Sequence, residues 1–196
     1  MKIIIINTDC SNLFSVKTIL KKLGYKPKIT DNPNTILKAD KLFLPGVGSA
    51  YSAMKQLTTK KLIQPIKNCN QPILGICLGM QLFGSFSEEN NNIKTLNILD
   101  IPTKLLKSSS LPIPHMGWNK IIALKKHPLL YNITQNQHFY FTHSYIMELN
   151  KSTIAYTDYG QLFSSIIQHK NFFGVQFHPE KSGNPGIQLI KNFLEM

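Results

Sequence analysis

The stretch Pro72-Ile73-Leu74-Gly75-Ile76-Cys77-Leu78-Gly79-Met80-Gln81 restricts this chain to few architectures. An apolar run, of a length suited to a buried strand, stops at a cysteine held between two glycines in the pattern G-x-C-x-G. That pattern describes a strand turning sharply into a helix and lifting one side chain clear of the backbone. Gly75 and Gly79 permit the close backbone approach such a turn demands. At the start of the following helix, unpaired N–H groups and the helix dipole favour a thiolate, and the same N–H groups are placed to receive a developing oxyanion. Cys77 is therefore a candidate nucleophile. A buried structural cysteine is the alternative that the stretch alone leaves open.

The surroundings of this turn supply its frame. Ile3 to Asn7 reads as a buried strand. Leu13 to Leu23 carries Leu13, Val16, Ile19, Leu20 and Leu23 at helical spacing and ends at Gly24, a fitting cap. Short strands are expected at Lys26 to Thr30 and Lys41 to Leu44, then a helix in two pieces from Ser49 to Lys67. This alternation predicts a three-layer α/β fold with a mostly parallel central sheet and helices on both faces. In the second half strands follow one another directly: Thr103 to Leu106, Lys120 to Leu124, His138 to Tyr145, Thr153 to Thr157, Leu162 to Gln168 and Phe172 to Gln176. They are expected as antiparallel additions to one edge of the sheet. The Asn-rich stretch Ser87 to Asn97 reads as a loop, and Gly183 to Glu195 as a closing helix with Ile187, Ile190, Phe193 and Leu194 inward. With no repeat and no linker, residues 1–196 are expected to form a single domain.

Composition removes several classes of function. The N-terminal Ile run breaks at Asn7-Thr8-Asp9 without a cleavage site, so it suits a first strand better than a signal peptide. No membrane span is expected. Three cysteines, Cys10, Cys69 and Cys77, do not make a disulfide framework, and a cytoplasmic location follows. The formal charge is +12, yet every basic residue is a lysine and the lysines are scattered. Without arginine, the better reader of phosphate and guanine, a nucleic-acid partner is not expected.

A cysteine nucleophile needs a base, and the base needs an orienting group. Near the C-terminus stands Gly174-Val175-Gln176-Phe177-His178-Pro179-Glu180. Pro179 restricts His178 to extended conformations. Residues two apart then point the same way, which puts Glu180 beside the imidazole. Read alone, this pair could equally be a solvated His and Glu at a strand end.

The elbow and the distant His-Pro-Glu together resemble the class I (triad) glutamine amidotransferases. The resemblance implies Cys77 as the nucleophile toward the side-chain amide of L-glutamine, His178 as general base and then acid, and Glu180 as the group orienting it. It implies an oxyanion site from the Leu78 backbone and the Gly46, Val47, Gly48 loop of Pro45-Gly46-Val47-Gly48, whose peptide would reorient when a partner binds. It also implies substrate contacts at Gln81 and Glu89, with the backbone of His143, Ser144 and Tyr145 lining the same pocket. Pro114-His115-Met116-Gly117-Trp118-Asn119, Phe141-Thr142-His143-Ser144-Tyr145 and Gln176 to Ser182 are similar to one branch, the glutaminase subunits of imidazole glycerol phosphate synthase. That branch implies a heterodimer with a (β/α)8 cyclase subunit, ammonia passing between them, and an interface role for Trp118 rather than a core one. Neither a cofactor nor a metal is expected; His115 and His143 with Cys77 and His178 show no ligand spacing.

The chain departs from the family's pattern at Thr8-Asp9-Cys10-Ser11-Asn12-Leu13 and at Asn90 to Asn97, where glycines are usual. Asparagine tolerates left-handed backbone and partly compensates. The alternatives are a glutaminase subunit of another amidotransferase and a catalytically silent regulatory relative.

Overall fold

The computed structural model describes residues 1–9, 12–89 and 92–196; Cys10 and Ser11 of the first departure, and Asn90 and Asn91 of the second, lie outside the described residues. The strands are β1 (Ile3–Ile6), β2 (Lys28–Thr30), β3 (Lys41–Gly46), β4 (Ile73–Cys77), β5 (Phe86–Ser87), β6 (Ile93–Lys94), β7 (Thr103–Leu105), β8 (His115–Lys120), β9 (Ile122–Ala123), β10 (His138–His143), β11 (Tyr145–Met147), β12 (Thr153–Asp158), β13 (Leu162–His169) and β14 (Phe172–Val175). The helices are α1 (Leu13–Lys22), α2 (Pro33–Leu37), α3 (Ala50–Thr59), α4 (Ile63–Lys67), α5 (Leu78–Gln81) and α6 (Gly183–Glu195).

Among the described residues the central sheet has eight strands in the order β2-β1-β3-β4-β14-β13-β12-β9. Its first five strands are parallel and the last three join antiparallel. Period-two alternation sorts their side chains to two faces. Ile3, Ile5, Phe43, Leu74, Ile76, Phe173 and Val175 pack with Val16 and Leu20 of α1 and with Leu189, Ile190 and Phe193 of α6. Ile4, Ile6, Leu42, Leu44, Ile73 and Phe172 pack on the other side with Ile36 of α2, Ala50, Ala53 and Leu57 of α3 and Ile66 of α4. A strand covered on both faces reads as an unbroken apolar run, which is why Ile3–Ile6 and Ile73–Cys77 look alike.

Three expectations need correction. β14 is not an antiparallel addition: it runs parallel to β4, inserted between β4 and the antiparallel strands, with Gly174 opposite Gly75. β7, β10 and β11 do not join the central sheet. β10 forms a ribbon with β8, a strand the sequence did not reveal, and β11 and β7 sit in a small sheet with β5 and β6. Burial alternates along β8, but His115, Gly117 and Asn119 take the inner positions while Met116 and Trp118 face outward, so hydropathy does not mark the strand. The stretch taken as a loop from Ser87 contains β6, which pairs with β5. The short helix α2 was also unforeseen, although Asn32 accepts a bond from Thr35 N and Pro33 opens the helix, both ordinary start signals. Asn92 and Asn97 adopt left-handed backbone, at φ 65° and 50°.

No helix among the described residues is long and apolar enough to cross a membrane.

Candidate active site

The parallel strands end on one side of the sheet, and the site lies there. Cys77 is the last residue of β4, and its register partner is Gly46 at the end of β3. Its backbone is at φ 53°, ψ −112°, a conformation that costs a non-glycine residue roughly 1–3 kcal/mol. The tightness behind it is measurable. A Cβ on Gly79 would sit 1.7 Å from the carbonyl oxygen of Leu44, and one on Gly75 would sit 2.6 Å from the Phe83 ring. The turn of chain after Cys77 is thus pressed directly onto β3 and β4. One expectation shrinks here: α5 is only four residues long, so local N–H groups rather than a long helix dipole act on the sulfur.

β14 delivers His178 next to this turn, because β14 lies beside β4 in the sheet. The backbone of His178 is extended, at φ −99°, ψ 93°, as Pro179 requires. It is clamped to β10: its N–H donates to Tyr140 O at 2.8 Å. The Ser182 hydroxyl donates to His178 O and accepts from Tyr140 N. Glu180 stands in a short 3-10 turn rather than an extended segment, yet Oε1 meets His178 Nδ1 at 2.7 Å. Nδ1 must be the donor, since a carboxylate only accepts, and this leaves Nε2 as the working nitrogen. Nε2 is buried and has no hydrogen-bond partner among the described residues. Burial opposes charge on His178, but Cys77 and Glu180 more than offset it and push the imidazole up to about 10. In thiol form Cys77 donates to Thr142 O at 3.7 Å; in thiolate form the proton belongs on His178.

Cys77 and His178 face a cavity of about 290 Å³, at the small end of the usual range and suited to a substrate of amino-acid size. Val47, Gly48, Leu78, Gln81 and Glu89 line it, as do His143, Ser144 and Tyr145. Gly46 lies behind the cavity as the register partner of Cys77 rather than in its wall. Trp118 is outside it, 56% exposed on β8, with its ring edge-on to Tyr140 across the strand pair. Glu89 is already engaged: it accepts from Ala50 N at the start of α3 at 2.6 Å. Gln81 donates to Tyr145 O at 2.8 Å and to Gln176 Oε1 at 3.0 Å.

His143 is held by an ordered set of bonds. Its Nδ1 donates to Tyr145 O at 3.0 Å, so Nε2 accepts from His115 Nδ1 at 3.1 Å. His115 Nε2 can then accept from Asn119 at 3.4 Å. Burial, reinforced by the neighbouring His115, pushes His143 down to about 3; burial pushes His115 down to about 4. Both rings are therefore neutral near pH 7. Pro114, Thr142 and Gln176 are the contributors that sequence reasoning passed over. Thr142 acts through a carbonyl, which no side-chain pattern signals. Gln176 had a signal, its place two residues before His178.

The glutamine amidotransferase class-I family model matches residues 4–196. A Blochmanniella floridana protein named "Imidazole glycerol phosphate synthase subunit HisH" is 67% identical over 196 residues, all of both chains. A Yersinia pseudotuberculosis protein of the same name is 51% identical, again over all of both. A solved structure described as a glutamine amidotransferase superposes with a TM-score of 0.75, covering 98% of this chain and 97% of that one, at 15% identity, a likeness of fold. With a matching model over nearly its whole length, full-length relatives at half identity or better, and the same fold, the chain belongs to the class-I glutamine amidotransferases.

Proposed function

We propose that the chain is the glutaminase subunit of an imidazole glycerol phosphate synthase, acting in histidine biosynthesis in the cytoplasm. The observation that carries the chemistry is a buried His178, fixed by Glu180 at 2.7 Å and lining the same small cavity as Cys77. The full-length identity to relatives of that name supports the choice among amidotransferases.

The reaction proceeds in two halves. Cys77 gives its proton to Nε2, and Sγ attacks the side-chain amide carbon of L-glutamine. The oxygen, now an anion, is met by the Leu78 N–H and by a second donor from the Val47–Gly48 loop. Gly48, at φ 84° and with open space around it, allows that loop to turn. The imidazolium returns its proton to the departing nitrogen, the C–N bond breaks, and ammonia leaves a γ-glutamyl thioester. Water, deprotonated by His178, then cleaves the thioester to glutamate and restores the thiol. Glu89 suits the substrate ammonium, and a neutral His143 adds no charge to oppose it. Ammonia passes to a (β/α)8 cyclase subunit, which forms imidazole glycerol phosphate and aminoimidazole carboxamide ribotide. Trp118 and Met116, exposed side by side on β8, serve the docking face.

Cys77→Ala tests this. Paired with the cyclase, it is expected to lose glutamine-dependent synthesis and keep synthesis from ammonium salts. Undiminished glutamine-driven product would refute the assignment.

A further inference from the structure

Gln176 is wholly buried, and its side-chain amide bridges two groups of the site. Oε1 accepts from Gln81 Nε2 at 3.0 Å, and Nε2 donates toward Cys77 Sγ at 3.8 Å. The orientation is forced. Gln81 Nε2 also donates to the Tyr145 carbonyl, so it is the nitrogen end of Gln81 that lies here and it presents a hydrogen to Gln176. Gln176 must answer with oxygen, which turns its own N–H toward the sulfur.

A thiol sulfur is a weak acceptor and poorly compensates a buried amide donor. A thiolate is a strong one. The Thr142 carbonyl on the sulfur's other contact has the opposite preference, since it can only accept and so favours the S–H form. Beside the protonated His178, the Gln176 amide is a side-chain donor that matches the anion.

We propose that Gln176 is a catalytic residue of this site, its side-chain N–H stabilising the Cys77 thiolate and aiming the sulfur at the substrate amide carbon. The proposal rests on Cys77 being the nucleophile. Gln176 keeps its protons throughout; the thiol proton goes to His178. The bond is strong before attack, weak in the thioester, and strong again as sulfur leaves, so it raises the share of thiolate available for attack and stabilises the sulfur as a leaving group.

The test is the pH profile of iodoacetamide alkylation of the full chain, with Cys77→Ala as the background for Cys10 and Cys69. Burial pushes the Cys69 thiol up to about 11, which keeps it slow. Gln176→Met keeps the length and removes the donor. Its alkylation midpoint is expected to rise by about one pH unit. Its limiting rate at high pH should rise about threefold, because a more basic thiolate is the better nucleophile. With the cyclase present, kcat for glutamine near pH 7 should fall about threefold, the roughly tenfold loss of thiolate being partly offset by its greater reactivity, with a smaller change in KM. Gln176→Glu, of the same shape but facing the sulfur with an acceptor, should shift the midpoint further, and it carries the test should the Met variant not fold. An unchanged midpoint in a folded variant overturns the proposal. Glutaminase activity surviving in Cys77→Ala instead overturns the nucleophile assignment beneath it.

Discussion

Three side chains from two remote stretches were named from sequence, and the fold brings them to one place. Their legibility came from chemistry that residue type declares: a cysteine at a constrained turn and an imidazole locked by a following proline. Glu180 was expected beside His178 through extended-chain alternation; it arrives through a 3-10 turn instead, and the 2.7 Å contact is the same. The roles differ in size. In the proposed reaction His178 moves a proton at every step, whereas Glu180 fixes the tautomer and supports the charged ring. His178→Ala should therefore lower kcat by about 10²–10⁴-fold, and Glu180→Gln by less, because glutamine can still accept from Nδ1. Steady-state glutaminase assays with the cyclase bound decide it; an equal or greater loss from Glu180→Gln would contradict this ordering. What stayed hidden at this scale were groups that meet the sulfur through a backbone carbonyl or a side-chain amide, Thr142 and Gln176, whose position depends on what folds against them.

At the scale of elements, the elbow is a packing problem as much as a chemical one. Gly79 has no room for a side chain, since a Cβ there would meet the Leu44 carbonyl at 1.7 Å. Gly79→Ala must push α5 off β3 and carry Cys77 with it. The expected cost is at least the roughly 1–3 kcal/mol of an overpacked core, read as a lower denaturation midpoint, together with loss of glutaminase activity. Wild-type stability in that variant would show that β3 yields easily. The parallel strands, α1, the two-piece helix α3–α4 and α6 were readable because both-face burial and helical spacing leave strong periodic marks. β10 was readable as a strand, but β8 and its pairing with β10 away from the central sheet were not, because β8 turns its apolar side chains outward and the pairing depends on the tertiary fold.

For the molecule as a whole, three histidines set opposing pH trends. His115 and His143 have folded values of about 4 and 3, below the ordinary 6.5. Below pH 6.5 the unfolded chain takes protons that the folded one refuses, so stability falls as pH drops, by about 1.4 kcal/mol per unit for each group. His178 is raised, to about 10. Its contribution is complete below 6.5 and is lost as pH rises toward 10. Stability should thus peak near pH 6.5. Urea midpoints at pH 5, 6.5 and 8.5 check this, with His115→Asn expected to flatten the acid side; a midpoint rising steadily to pH 8.5 would contradict the His178 contribution.

The position of β14, parallel and wedged between β4 and β13, has a consequence for how the enzyme comes into being. During synthesis the sulfur emerges long before its imidazole, and the base can reach it only when a late strand slots into the middle of a sheet already begun. With Cys77 and His178 in the proposed roles, a growing chain cannot split glutamine until that insertion, which confines ammonia production to molecules whose architecture is finished.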